Sequence, residues 1–92
     1  MSSCPHISKI TREEFSRKPN TPEGCEECLK MHDTWVHLRE CLACGHVGCC
    51  DSSKNKHATK HYQSKHHPVI RSIEPGEHWM WCYADNLGAE IY

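Results

Sequence analysis

Two cysteine pairs constrain this chain more than any other feature. Cys25-Glu-Glu-Cys28 and Cys41-Leu-Ala-Cys44 each hold two thiols with two residues between them, and twelve residues separate the pairs. Two thiolates at that spacing sit on one tight turn and bite the same tetrahedral ion. One such pair is a weak signal; two pairs followed by His57 and His61, four residues apart on one helix face, are a strong one. Cys4-Pro-His6 adds a third two-donor clip. Cys49 or Cys50, His57, His61, His66 or His67, and Cys82 are the candidates to complete the coordination shells. Mixed thiolate and imidazole donors favour zinc, whereas an iron–sulfur cluster usually takes cysteine alone.

Composition says why such a chain needs metal. It has 92 residues, room for one domain, and 8 Cys and 9 His among them. Hydrophobic residues make up 37% and the mean hydropathy is −0.76, so the apolar core is thin. Ordering a chain costs roughly 1.5 kcal/mol per residue, which a small core only balances, so staples are expected. The 11 Lys and Arg against 12 Asp and Glu leave a formal charge of −1. That balance argues against a dedicated nucleic-acid binder and against disorder. The longest uncharged stretch with apolar residues, Cys41 to Cys50, falls short of the roughly 18 residues of a membrane span. The start, Met-Ser-Ser-Cys-Pro-His, carries no export signal pattern. A reducing, cytoplasmic setting is therefore expected, with metal rather than disulfides as the staple, and the chain is expected to be a monomer.

The pattern predicts an α+β fold: a small zinc-stabilised domain with a twisted antiparallel sheet and one main helix. Residues 7–24 read mostly as loop, with Thr11 and Glu14 able to cap a short helix through Phe15. Thr34 to Cys41 alternates as a strand, with Val36 and Leu38 on one face and Trp35, His37 and Arg39 on the other. Ser52 or Ser53 caps a helix to about Lys65. Val69 to Glu74 reads as a strand, Pro75-Gly76 as a turn, and Trp79 to Ala84 as a second strand. That last strand sets Trp79, Trp81 and Tyr83 on one face and Met80, Cys82 and Ala84 on the other. One of Cys49 and Cys50 is expected to be a plain buried thiol, and His32, His37, His46 and His78 ordinary surface residues. The number of donors points to closed sites rather than a catalytic zinc with an open position.

The run from Cys4 to Asp85 resembles the UBP-type zinc finger, also called the ubiquitin-hydrolase-type or BUZ finger. The residues that carry the resemblance are Cys4-Pro-His6, Cys25-Glu-Glu-Cys28, Trp35, Cys41-Leu-Ala-Cys44, Val47-Gly48-Cys49, His57-Ala-Thr-Lys-His61, His67-Pro68 and Trp81-Cys82-Tyr83. The stretch from Cys44 to Ser53 looks like the short, stand-alone bacterial versions. The resemblance implies one domain over residues 1–92, with its core at 4–85, and two to three zinc ions. Carried over residue by residue, it gives the first zinc Cys25, Cys28, Cys49 and His57, and the second Cys41, Cys44, His61 and His67. The third takes Cys4, His6 and Cys82. The family's fourth ligand there is a cysteine three residues after Cys82, where this chain has Asp85, and a carboxylate can ligate zinc. Cys50 is left unused.

The resemblance also implies a role. Many family members bind the free C-terminal tail of ubiquitin in an aromatic pocket, with an Arg gripping the terminal carboxylate. Trp35, Trp81 and Tyr83 match the aromatics, but the family's Cys-Gly-Arg is here Cys49-Cys50-Asp51. At an effective dielectric of 20, unit charges at 4 Å interact by about 4 kcal/mol, so reversing the sign at Asp51 opposes that binding mode unless Arg39 or Arg71 reaches in. The expectation is a non-catalytic, zinc-binding interaction module for a peptide or protein partner, with Trp35, Asp51, Trp81 and Tyr83 in its pocket. Two alternatives are nucleic-acid binding through Lys54, Lys56, Lys60 and Lys65 on the helix, and thiol or redox chemistry at Cys50.

Overall fold

The computed structural model of the protein describes residues 4–11, 13–14 and 18–90. A five-stranded sheet carries the fold: β1 (Leu38–Cys41), β2 (Val47–Cys49), β3 (Val69–Ser72), β4 (Trp79–Cys82) and β5 (Leu87–Glu90). The strand order is β2-β1-β3-β4-β5, and every neighbouring pair is antiparallel. Among the described residues, α1 (Pro5–Ser8), α2 (Glu26–Met31) and α3 (His57–Lys65) flank it. α3 packs on β2 and β1, α2 on β2, and α1 on β4. The α+β class, the antiparallel sheet and the one main helix agree with the sequence reading.

The interior is divided, and thiols form much of it. One cluster gathers Cys4, Leu42, Val69, Met80 and Cys82, with Ile7, Ile10 and Ala89 against it. The other gathers Cys25, Cys28, Leu38, Val47 and Cys49, with Trp35 and Ile73 against it. Half of these ten buried residues are cysteines, so the apolar cores converge on the candidate metal ligands. At Gly48 an added Cβ would lie 2.5 Å from the Ala58 nitrogen and 2.7 Å from its Cα, so the bare glycine lets α3 lie directly on β2.

Several elements depart from the sequence reading. The first strand starts at Leu38, not Thr34, and Val36 is 53% exposed. The first cysteine pair, expected on one tight turn, sits at the start of α2 (Glu26–Met31). α3 begins at His57 because Lys56 takes a left-handed conformation, φ 50°. The Ser53 hydroxyl, expected to cap the helix, instead accepts the Val36 N–H at 2.8 Å. α3 ends at Lys65, capped by His66 in a left-handed conformation, φ 59°, two residues before Pro68. The third and fourth strands stop at Ser72 and Cys82, earlier than expected, and β2, β5 and α1 were not anticipated. Thr11 and Glu14 do form a reciprocal cap: the Thr11 N–H donates to Glu14 Oε1 at 2.9 Å and the Glu14 N–H to Thr11 Oγ1 at 3.2 Å. The helix expected through Phe15 extends outside the described residues. No helix among the described residues is long and apolar enough to cross a membrane.

Candidate metal centre and the adjoining cavity

Three groups of four donors assemble at the joints between these elements, each with its donor atoms within 4.8 Å of one another. In the first, Cys25 and Cys28 come from the start of α2, Cys49 from the end of β2 and His57 from the first turn of α3. The His57 Nδ1 lies 3.3 Å from Cys25 Sγ, 3.4 Å from Cys28 Sγ and 3.6 Å from Cys49 Sγ. Zinc bonds of about 2.3 Å to sulfur and 2.0 Å to nitrogen, held tetrahedrally, set such donors about 3.6 Å apart, so the group fits a zinc ion. The His57 N–H also donates to Cys49 Sγ at 3.2 Å, which directs the positive end of α3 at the thiolate cluster. Burial pushes the Cys25 and Cys28 thiols up, so a cation is what makes thiolates of them.

The second group takes Cys41 from the end of β1, Cys44 from the turn that follows, His61 from the middle of α3 and His67 from just beyond it. Cys41 Sγ is 3.5 Å from His67 Nδ1, and Cys44 Sγ is 3.3 Å from His61 Nε2. The third group joins Cys4 and His6, at the start of α1, to Cys82 at the end of β4 and Asp85 in the turn that follows. Asp85 Oδ2 lies 2.8 Å from Cys4 Sγ, 2.9 Å from His6 Nδ1 and 3.7 Å from Cys82 Sγ. The hydrogen bond from Cys4, then the one with His6, holds the Asp85 carboxyl below its usual range.

Between the first two groups lies a pair that sequence reasoning missed. His46, expected on the surface, is buried, and its ring stacks on His61 at 3.9 Å and 3°. Its Nε2 contacts both Glu27 carboxylate oxygens, at 2.9 and 2.8 Å. Glu27 lies inside the first cysteine pair and His46 two residues past the second, so bringing the pairs together brings these two together; that proximity was the available signal. Of the other histidines expected at the surface, His32 and His78 are exposed and His37 is half-buried, 3.8 Å from Cys50 Sγ.

Beyond the donors, a cavity of about 240 Å³ is lined by Arg39, Cys50, Asp51, Ser52, Ile70, Trp79, Trp81 and Tyr83. Alternation along β4 turns Trp79 and Trp81 to it and Met80 and Cys82 to the interior. Trp35, expected among the pocket aromatics, is not in this lining. It packs on the core around Cys25 and Cys28, so close to Gly24 that an added Cβ would lie 2.6 Å from its ring. Arg39 does reach the cavity: its guanidinium lies 4.5 Å over the Trp79 ring, and Nη1 donates to the Leu38 carbonyl and Ser72 Oγ and sits 3.5 Å from Glu77. Arg71 turns instead to the buried Glu40, 2.6 Å away. Asp51 is exposed and accepts a hydrogen bond from Thr59 Oγ1. Burial would raise the Cys50 thiol, but hydrogen bonds with Ser53, Ser52 and His37 together bring it to about 7. The four lysines do not share one helix: Lys54 and Lys56 precede α3, and Lys54 pairs with Asp33 at 2.9 Å.

Comparison with known proteins places this geometry. The model of the family described as "Zn-finger in ubiquitin-hydrolases and other protein" matches residues 25–90. The chain belongs to this family. Zinc is the metal of a UBP-type finger, and the three donor groups suit two to three zinc ions. Among related UBP-type fingers, ubiquitin carboxyl-terminal hydrolase 44 of Ailuropoda melanoleuca is 31% identical over 84 residues, which are 90% of this chain and 11% of that protein. Ubiquitin carboxyl-terminal hydrolase 16 of Mus musculus is 43% identical over 62 residues, 63% of this chain and 7% of that protein. The chain thus spans about a tenth of the length of these relatives. The solution structure of protein RPA1320 from Rhodopseudomonas palustris is 45% identical, with a TM-score of 0.84, covering 99% of this chain and 84% of that one.

Proposed function

We propose that this UBP-type finger is a non-catalytic interaction module that takes a peptide segment of a partner protein in the cavity of Trp79, Trp81 and Tyr83. Three zinc sites hold it together: Cys25, Cys28, Cys49 and His57; Cys41, Cys44, His61 and His67; Cys4, His6, Cys82 and Asp85. The observation that carries this reading is the division of labour along β4. One face turns Cys82 into a donor group, while the other offers aromatic rings to an open cavity. A four-donor site leaves no open position for an attacking water, which supports a structural role for the metal.

The interleaving of the first two sites has its own test. Replacing His57 perturbs Cys25, Cys28 and Cys49, whereas replacing His61 perturbs Cys41 and Cys44. The Cβ shifts of the cysteines, read by NMR in variants that still retain metal, report the grouping. The same pattern from both variants contradicts it.

Charge sets the ligand preference. Arg39 is already compensated by Glu77, 3.5 Å away, and Asp51 then leaves the cavity with a net negative charge. Aromatic faces attract a cation by roughly 0.5–2 kcal/mol each, and a carboxylate adds to that attraction. The cavity therefore prefers an N-terminal amine or a Lys or Arg side chain to a free C-terminal carboxylate. Titration with two peptides that differ only in which end is blocked decides the matter: the peptide with the free amine binds more tightly. Tighter binding of the free carboxylate, lost on Arg39→Ala, means that Arg39 governs the cavity and overturns the assignment.

A further inference from the structure

We propose that the Cys4–His6–Cys82–Asp85 group is a zinc site that exchanges separately from the other two, and that its occupancy decides whether residues 4–10 cover the sheet. The inference rests on the zinc ligand sets above but not on the peptide cavity.

Three observations converge on it. The first is donor chemistry. The other groups offer three thiolates with one imidazole, or two of each; this one offers two thiolates, an imidazole and a carboxylate. Zinc is borderline soft, and exchanging a thiolate for a hard carboxylate oxygen weakens its hold. The second is access. The side chains of His6 and Asp85 are 43% and 34% exposed beside the buried Cys4 and Cys82, whereas Cys25, Cys28 and Cys49 are wholly buried and Cys44, His61 and His67 half-buried. Water and a competing chelator reach the N-terminal site directly.

The third is connectivity. The other two groups share α3 through His57 and His61, so opening either one disturbs the other. The N-terminal group shares no element with them. Its α1 is four residues long, too short to persist unaided. The backbone bonds of this segment, Ser8 N–H to the Cys4 carbonyl and Ile10 N–H to the Ile7 carbonyl, are local. Among the described residues, the hydrogen bonds that residues 4–10 make to the rest of the chain run only through Cys4 and His6 to Cys82 and Asp85. The remaining hold is apolar: Ile7 and Ile10 lie against Leu42, Val69, Met80 and Cys82. When the ion leaves, the segment loses its anchor and this buried face opens to water, while β1, β2 and α3 stay clamped by the other two zincs.

Native mass spectrometry of the zinc-reconstituted chain under graded chelator, paired with amide NMR, tests this. The expected course is loss of one zinc to give a stable two-zinc species. In that species resonances of residues 4–10, Leu42, Val69, Met80 and 82–89 change, and those of Cys25, Cys49 and α3 do not. Asp85→Cys erases the two-zinc plateau by tightening the site. Cys4→Ser gives the two-zinc species without chelator, still folded around α3, which keeps the test open if the Asp85 variant folds poorly. Simultaneous loss of all three zincs overturns the proposal, as does a first loss that perturbs Cys25, Cys41 or α3. A chain that binds no zinc at all fails the ligand reading itself and is told apart by its mass before any chelator is added.

Discussion

Excess chelator unfolds the chain, and mild reductant does not. The reason lies in what the interior is made of. Half of the buried residues in the two cores are cysteines that converge on donor groups, and all eight cysteines are free thiols, so there is no disulfide for a reductant to break. Structural zinc supplies roughly 10–16 kcal/mol per site in zinc-finger peptides, and that binding energy is folding energy. Against a whole-domain stability of about 5–15 kcal/mol, loss of the two sites on α3 leaves nothing to hold the fold. Far-UV circular dichroism during chelator titration measures the collapse, and adding zinc back restores the signal. A chain that keeps its full signal in excess chelator is held by something other than metal.

Gly48→Ala is the most damaging small substitution expected outside the ligands. The new Cβ would meet the Ala58 nitrogen at 2.5 Å, its Cα at 2.7 Å and the His57 carbonyl carbon at 2.9 Å. These are backbone atoms of α3, so no side chain can swing aside; the helix itself must back away from β2. Overpacking of this kind costs about 1–3 kcal/mol, and here the shift also pulls His57 off its three thiols. For a chain of this size a loss of about 2 kcal/mol lowers the melting temperature by about 8–16 °C. Gly76→Ala is the contrast. That residue has a positive φ of 83° but nothing within 4 Å, so only the backbone strain of about 1–2 kcal/mol is felt and the donor groups keep their geometry. Cysteine Cβ shifts of the zinc-loaded variants separate the two, because only Gly48→Ala displaces His57 and so disturbs Cys25, Cys28 and Cys49.

What could be read from the sequence follows from how local each signal is. A two-residue gap between thiols is a property of one turn, so the cysteine clips were legible at once. Alternation over Trp79 to Cys82 is likewise local, and it set the aromatic face and the interior face of β4 correctly. The start of α3 was not legible. Ser53 has the side chain of a good cap, but its hydroxyl is engaged by the Val36 N–H from another part of the chain. His46 failed as a surface residue for the same kind of reason: its burial comes from Glu27 and His61, which only the folded chain brings near. Trp35 was assigned to the cavity by resemblance, yet the bare Gly24 gives its ring a seat on the core instead. β5, with Gly88 and Ala89 and no β-branched residue, takes its extended form from pairing with β4 rather than from its own preference.

The sharing of α3 by two donor groups has a consequence for how the chain comes into being. The first set runs from Cys25 to His57 and the second from Cys41 to His67, so each opens before the other closes. No fragment ending before α3 holds a full set. A ribosome adds about 5–20 residues per second, so the last donors of the two sets emerge within about 2 seconds of each other, nearly as one event. Cys4 and His6 precede every other donor but must wait for Cys82 and Asp85, which follow all the rest. The donor set that opens first is thus the last of the three to be closed, and its seal on the sheet waits for the other two sets to be complete.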